Sequence, residues 1–258
     1  MEFTQDFVTV NGCKLFVRRG GRGAPLLFLH GANGPDVSAP FMNLLAKQFD
    51  VIAPDHPGFG SSDTPDWIET VGDMAYFYLD FLKAMQLREV HLVGNSLGGW
   101  IAAEMAVRST DRLKTVTLAS AVGIHVEGIT RPDIFLMNPR QLAEIIFADP
   151  ELAKKRNANP STEQEAATLM KNRFMTAKLS WQPRSHNPDL PKWLHRIDVP
   201  SLILWGDSDR LVPLAFGEEY HRLIPASRLE VLERCGHLPQ VERSAEFVDR
   251  VAKFARAA

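Results

Sequence analysis

Residues 90–100 read VHLVGNSLGGW, a short apolar run that ends abruptly in Gly94-Asn95-Ser96-Leu97-Gly98. An apolar run without alternation marks a strand buried on both faces. The residues that follow, LGGWIAAEMAVRS, carry helical spacing. A chain that passes from strand to helix in so few residues must turn sharply at Ser96. The glycines two positions to either side permit the close backbone approach that such a corner needs. The G-x-S-x-G pattern says little in isolation, because glycine and serine are common. Its place between a buried strand and a helix gives it meaning, and a strand covered on both faces calls for a layered α/β fold.

The flanking sequence repeats the rhythm. FVTVNGCKLFVRRG reads as a hairpin turning at Asn11-Gly12. APLLFLHG and DVIAPD are short buried-type strands separated by APFMNLLAKQF, which has helical spacing, and TVGDMAYFYLDFLKAMQL is a long amphipathic helix. LKTVTLAS follows as a further strand. After Ser120 the pattern changes: from about Gly123 to His195 helical segments punctuated by prolines replace the strands. Alternation resumes with VPSLILWG, SRLEVLE and a last helix, SAEFVDRVAKFARA. The expected organisation is one α/β core, residues 1–122 and 196–258, carrying a helical insertion at 123–195 that acts as a cap.

A serine hydroxyl becomes a nucleophile when a histidine, oriented by a carboxylate, takes its proton. For a serine on a strand-to-helix elbow the chain order is serine, acid, histidine. Of eight histidines, only His221 and His237 follow the resumed core strand. His221 lies in the helical pattern EEYHRL, as a surface residue. His237, in RCGHLPQ between a strand and the last helix, is the expected base. The acid should stand just past SLILWG, where Asp207 and Asp209 occur; Asp209 is the expected acid and Asp207 a turn residue. Two backbone amides, those of Ala32 and Leu97, are the expected oxyanion donors. His30 and Asp55 read as loop-organising residues, and the loop HPGFGSSDTP lacks the lysine and spacing of a phosphate cradle.

Composition narrows the partners. The 258 residues are 45% hydrophobic and 23% charged, enough apolar material for a sizeable core. Lysine and arginine total 29 against 31 aspartate and glutamate, so no basic surface for nucleic acid is expected. Cys13 and Cys235 stand far apart and form neither a metal nor a redox pair; both read as packed thiols. No secretory signal is visible at the amino terminus, and no apolar run reaches the roughly 20 residues needed to span a bilayer. A cytoplasmic protein acting on a small molecule, without membrane, metal or cofactor, is expected; its oligomeric state is open.

Taken in order, the His30-Gly31 pair, PGFGSS, GNSLGG, WGDSD and CGH make the chain resemble the α/β-hydrolase superfamily over nearly its whole length outside the insertion. The resemblance implies an eight-stranded, mostly parallel sheet with helices on both faces, a helical cap over the active site, and a cofactor-free Ser96–Asp209–His237 triad. It does not name a substrate. Members with a carboxylate nucleophile, such as dehalogenases and epoxide hydrolases, are set aside by Ser96. Asn95 and the cap segment TLMKNRFMTA resemble the meta-cleavage-product hydrolases, where Arg173 would bind a substrate carboxylate or dienolate. Those enzymes typically carry tryptophan after the histidine, whereas this chain has Leu238, and GHLPQVE is more similar to esterases and lactonases. The expectation is hydrolysis of a small hydrophobic carboxylic ester; carbon–carbon hydrolysis and a slow-turnover ligand receptor are the alternatives. Arg173, Phe174, Trp181 and Leu238 are the expected substrate contacts. Phe135, Met137, Phe147 and Met175 are further apolar cap residues, and Arg184 and His186 stand in a polar loop beside them.

Overall fold

The computed structural model describes residues 3–35, 40–158 and 162–258. Eight strands form one sheet in the order β1-β2-β4-β3-β5-β6-β7-β8. They are β1 (Thr4–Val10), β2 (Cys13–Gly21), β3 (Pro25–Leu29), β4 (Asp50–Pro54), β5 (Val90–Asn95), β6 (Leu113–Ala119), β7 (Ser201–Gly206) and β8 (Ser227–Leu232). β2 runs antiparallel to β1 and β4, and every other neighbouring pair is parallel. The β1–β2 turn is Asn11-Gly12, with φ of 49° and 78°. Both values are positive, as a tight two-residue hairpin turn requires.

Among the described residues, ten α-helices connect or cover the strands: α1 (Phe41–Leu45), α2 (Val71–Ala84), α3 (Leu97–Arg108), α4 (Pro139–Ile146), α5 (Pro150–Ala158), α6 (Glu163–Ser180), α7 (Leu190–Trp193), α8 (Leu214–Leu223), α9 (Pro239–Glu242) and α10 (Ser244–Ala257). The alternation of side chains along a strand divides the core into two layers. In β3, Leu26 and Phe28 pack with Phe41 and Leu45 of α1 and with Phe247 and Val251 of α10. Leu27 and Leu29 point the other way, into the layer that holds Tyr78 and Phe81 of α2 and Ile101 and Met105 of α3. That double coverage is why β3 and β5 read as continuous apolar runs.

Helix ends follow local chemistry. Thr70 and Asp73 form a reciprocal capping box at the start of α2, and Asn138 and Gln141 do the same for α4, with Pro139 in its first turn. The helical spacing of APFMNLLAKQF yields only the five residues of α1. Tight turns at Lys47 and Gln48 then bring the chain to β4, because the helix must end in time for Asp50 to pair in the sheet. Four helices, α4 to α7, lie between β6 and β7, where the described residues hold no strand beyond a single bridge joining Gly123 to His186. Among the described residues, no helix is long and apolar enough to cross a membrane.

Candidate active site

Ser96 sits between β5 and α3 with φ 55° and ψ −114°, a backbone conformation that an L-residue adopts only under constraint. The constraint is close packing on either side. A Cβ on Gly94 would lie 2.2 Å from the Gly98 carbonyl oxygen, and a Cβ on Gly98 would lie 2.1 Å from that of Leu29. Only glycine fits at either place. The turn is held by the Ser96 amide, which donates to Ala119 O at 3.0 Å, and by the Trp100 amide, which donates to Ser96 O at 3.1 Å.

His237 follows β8, and its backbone N–H donates to Ile146 O at the end of α4 (2.7 Å). The imidazole lies between two partners, with Nδ1 2.9 Å from Asp209 Oδ2 and Nε2 2.9 Å from Ser96 Oγ. A carboxylate only accepts, so Nδ1 carries the proton and Nε2 is free to accept from the serine hydroxyl. The other Asp209 oxygen takes the amides of Leu211 and Val212 at 3.0 and 2.8 Å. Asp209 is therefore saturated and buried. Asp207 is exposed, and its carboxylate accepts from the Cys235 amide and the Ser208 hydroxyl, bracing the turn beside the His237 loop. His221 is on α8, exposed and paired with Ser227 Oγ.

Asn95 lies beneath this row. Its Nδ2 donates to Ala119 O and His237 O, while Oδ1 accepts from Gln240 Nε2 at 3.1 Å. Sequence reading did not find Gln240, and no motif marks it.

The loop after β3 closes over Ser96; a Cβ on Gly31 would be 3.3 Å from the Ser96 Cβ. Its shape depends on two buried histidines. His30 Nδ1 faces Gly31 O at 2.7 Å and so donates to it, and His30 Nε2 accepts the His56 amide at 3.0 Å. His56 Nε2 donates in turn to His30 O at 2.9 Å, leaving Nδ1 to accept from the Tyr78 hydroxyl. Burial pushes His30 down to about 3 and also lowers His56, so both rings are neutral and their tautomers are fixed by their partners. In a trans peptide N–H and C=O point opposite ways. Holding Gly31 O therefore directs the Ala32 N–H away from the His30 ring. Leu97 opens α3, so its N–H has no carbonyl four residues back within the helix. Asp55 ties its own loop, accepting from Arg18 Nη1 and the Ser61 amide.

Ser96, His237, Ala32, Leu97 and Leu238 all line one cavity of about 240 Å³. Ile134, Leu142 and Ile146, from the segment between β6 and β7, form an apolar wall, and Arg131, Asp133 and Arg184 add charge. Arg184 pairs with Asp133 at 3.1 Å. Arg131 has no carboxylate within ion-pair distance among the described residues; its Nη2 makes only long bonds to the carbonyls of Arg184 and Ser185. Burial pushes its guanidinium down, against the opposing pull of Tyr220 and Asp209. Sequence reading missed Arg131, because a single arginine in a loop carries no pattern.

Three expected substrate contacts stand elsewhere. Phe174 is 67% and Trp181 53% exposed, and Arg173 is half-buried but outside the cavity lining. A helix advances about 100° per residue. On α6 the buried face carries Asn172, Met175, Thr176, Leu179 and Ser180, so 173 and 174 are turned away from it. Trp181 lies under the Arg184 guanidinium, 4.0 Å from ring centroid to Cζ, and beside Phe135. Phe147 and Met175 are buried packing residues, Met137 is half-buried, and His186 Nδ1 faces Arg184 O.

Comparison with known proteins gives these features a context. A family model described as the alpha/beta hydrolase family matches residues 26–250. The chain is 29% identical to a 2-hydroxy-6-oxo-2,4-heptadienoate hydrolase of Pseudomonas putida, covering 96% of this chain and 94% of that protein. It is 28% identical to the dihydrolipoyllysine-residue acetyltransferase component of an acetoin cleaving system of Cupriavidus necator, covering 94% of this chain and 66% of that protein. Among solved structures, a membrane phospholipase A described as a bacterial virulence factor superposes with a TM-score of 0.84 at 27% identity, over 99% of this chain and 87% of that one.

Proposed function

The chain belongs to the alpha/beta hydrolase family and is a hydrolase, and we propose that it cleaves a small hydrophobic carboxylic ester through an acyl-enzyme on Ser96. The observation that carries this reading is the hydrogen-bonded row Ser96 Oγ–His237–Asp209, with both links at 2.9 Å, on the wall of a largely apolar cavity. His237 Nε2 takes the proton as Ser96 Oγ attacks the ester carbonyl, and Asp209 steadies the imidazolium. The Leu97 and Ala32 amides receive the developing oxyanion. As the tetrahedral intermediate collapses, His237 protonates the departing alcohol; water then repeats the sequence on the acyl group. Residues 123–195 act as a cap over a core of residues 1–122 and 196–258, supplying Ile134, Leu142 and Ile146 to the substrate chamber.

One observation favours a second reading. Arg131, lining the cavity with no carboxylate partner among the described residues, suits an anionic substrate group, such as the carboxylate of a vinylogous 1,5-diketone cleaved at a carbon–carbon bond. The dienoate hydrolase relative supports the same reading. Steady-state kinetics on a short-chain aryl ester and on such a diketone separates the two. Ester kcat/KM at least about tenfold the higher, with Arg131→Met leaving it within a few-fold, is expected. Preference for the diketone, with KM raised in Arg131→Met, would move the assignment to carbon–carbon hydrolysis. Turnover of neither would overturn both readings.

A further inference from the structure

We propose that Asn172, on α6 of the insertion, is a positioning residue that sets the loop supplying the Ala32 amide, so that the insertion completes the oxyanion site. The inference rests on the reading of Ser96 as nucleophile and Ala32 as oxyanion donor. Asn172 is a polar side chain only 3% exposed, at the boundary between α6 and two core loops. Its Nδ2 donates to Asn33 O at 2.9 Å, and its Oδ1 accepts the Gly60 amide at 2.9 Å. One planar amide thus joins the loop after β3 to the loop after β4.

Thr176 stands one turn further on the same face. Its hydroxyl lies 2.8 Å from Asn172 O and 3.2 Å from Ala32 O. Lys171 reaches the same region, donating to the carbonyls of Gly60 and Ser62 at 3.0 and 2.6 Å. The fit leaves no slack. A Cβ on Gly34, whose φ is +89°, would fall 2.6 Å from Asn172 Nδ2, so this glycine meets both a backbone and a space requirement.

The loop's peptides are divided between two supports. His30 from the core and the Gly34 amide of the loop itself hold Gly31 O, while from α6 Asn172 holds Asn33 O and the Thr176 hydroxyl, its one proton shared with Asn172 O, reaches Ala32 O. The core therefore aims the Ala32 N–H, and α6 fixes how far the loop stands from Ser96. An oxyanion donor contributes when it sits within hydrogen-bond distance of the transition-state oxygen, and displacement by about 1 Å costs on the order of a hundredfold in rate.

The test compares Asn172→Ala, Asn172→Asp and Thr176→Val with wild type, using an aryl ester and an aryl boronic acid that forms a tetrahedral adduct on Ser96. Rates are expressed per active site titrated with a phosphonate. In Asn172→Ala, kcat should fall about 10- to 100-fold with KM within about threefold, and boronate affinity should fall by the same factor as kcat. Asn172→Asp keeps the acceptor for Gly60 but loses the donor to Asn33, and should behave like the alanine variant. Thr176→Val should shift both quantities the same way by less, and it serves if Asn172→Ala does not fold. Phe174→Ala, an exposed neighbour, should leave both unchanged. A purely structural role would lower thermal stability and the titrated fraction while leaving kcat per site and boronate affinity intact; that result would overturn the inference. If Ser96→Ala retained turnover, the underlying reading would fail instead.

Discussion

His30 and His56 stack with ring centroids 3.7 Å apart, and burial keeps both neutral. Their titration has a definite sign. Above about pH 6.5 the rings are uncharged in folded and unfolded chains alike, so the stability they contribute is complete. As pH falls below 6.5 the unfolded chain takes up protons that the folded chain refuses, down to about 3 for His30. Each ring then removes up to about 1.4 kcal/mol per pH unit. Urea denaturation at pH 7 and pH 5 should show a loss of about 2 kcal/mol or more, and unchanged stability would contradict buried neutral rings. At this scale the geometry of the candidate site was largely legible from the sequence. Ser96, Asp209 and His237 each lie in a short motif whose chain order limits the choice, and the row they form in space is the one those motifs suggested. Arg131, Asn172 and Gln240 were not legible, because their places beside the cavity and the serine are set by contacts with residues distant in sequence.

Among the elements, the end of α4 is joined to the His237 loop from both sides. Ile146 O accepts the His237 amide, and Arg210, next to Asp209, donates to the carbonyls of Glu144 and Phe147. From the other side the Glu242 carboxylate of α9 accepts from the amides of Ala148, Asp149 and Gly236. Glu242→Ala would strip three amides of their partner, and unpaired buried donors cost about 1–3 kcal/mol each. Since water reaches part of this half-buried site, the expected destabilisation is about 2–4 kcal/mol in urea, with kcat reduced more than KM because Gly236 and His237 lose their support. Wild-type stability and kinetics in that variant would mean the contacts are incidental. Helix α6 illustrates why a motif can mislead by one position. The sequence drew attention to Arg173 and Phe174, but packing sets the phase of a helix, and the face turned inward carries Asn172 and Thr176. The i, i+4 spacing of those two polar residues beside Met175 and Leu179 is the only sequence signal of that phase.

Across the whole molecule, the three residues proposed for chemistry come from the carboxyl ends of β5, β7 and β8. A parallel sheet gathers loops from distant parts of a chain at one edge in this way. The sheet itself was legible because strands buried on both faces give unbroken apolar runs, and the Asn11-Gly12 pair located the hairpin. The short α1 was not, since its end depends on where β4 must pair. The shape of the cavity was also beyond sequence reading, as it arises where the helices between β6 and β7 meet the loops of the sheet. The proposed acyl-enzyme mechanism turns on one hydroxyl, that of Ser96. The most direct test is kcat/KM of purified Ser96→Ala on a short-chain aryl ester, with folding checked by thermal melting. A fall of about 10⁴-fold or more in a protein that melts like wild type is the predicted result. Near-normal turnover by the folded variant would contradict the acyl-enzyme mechanism.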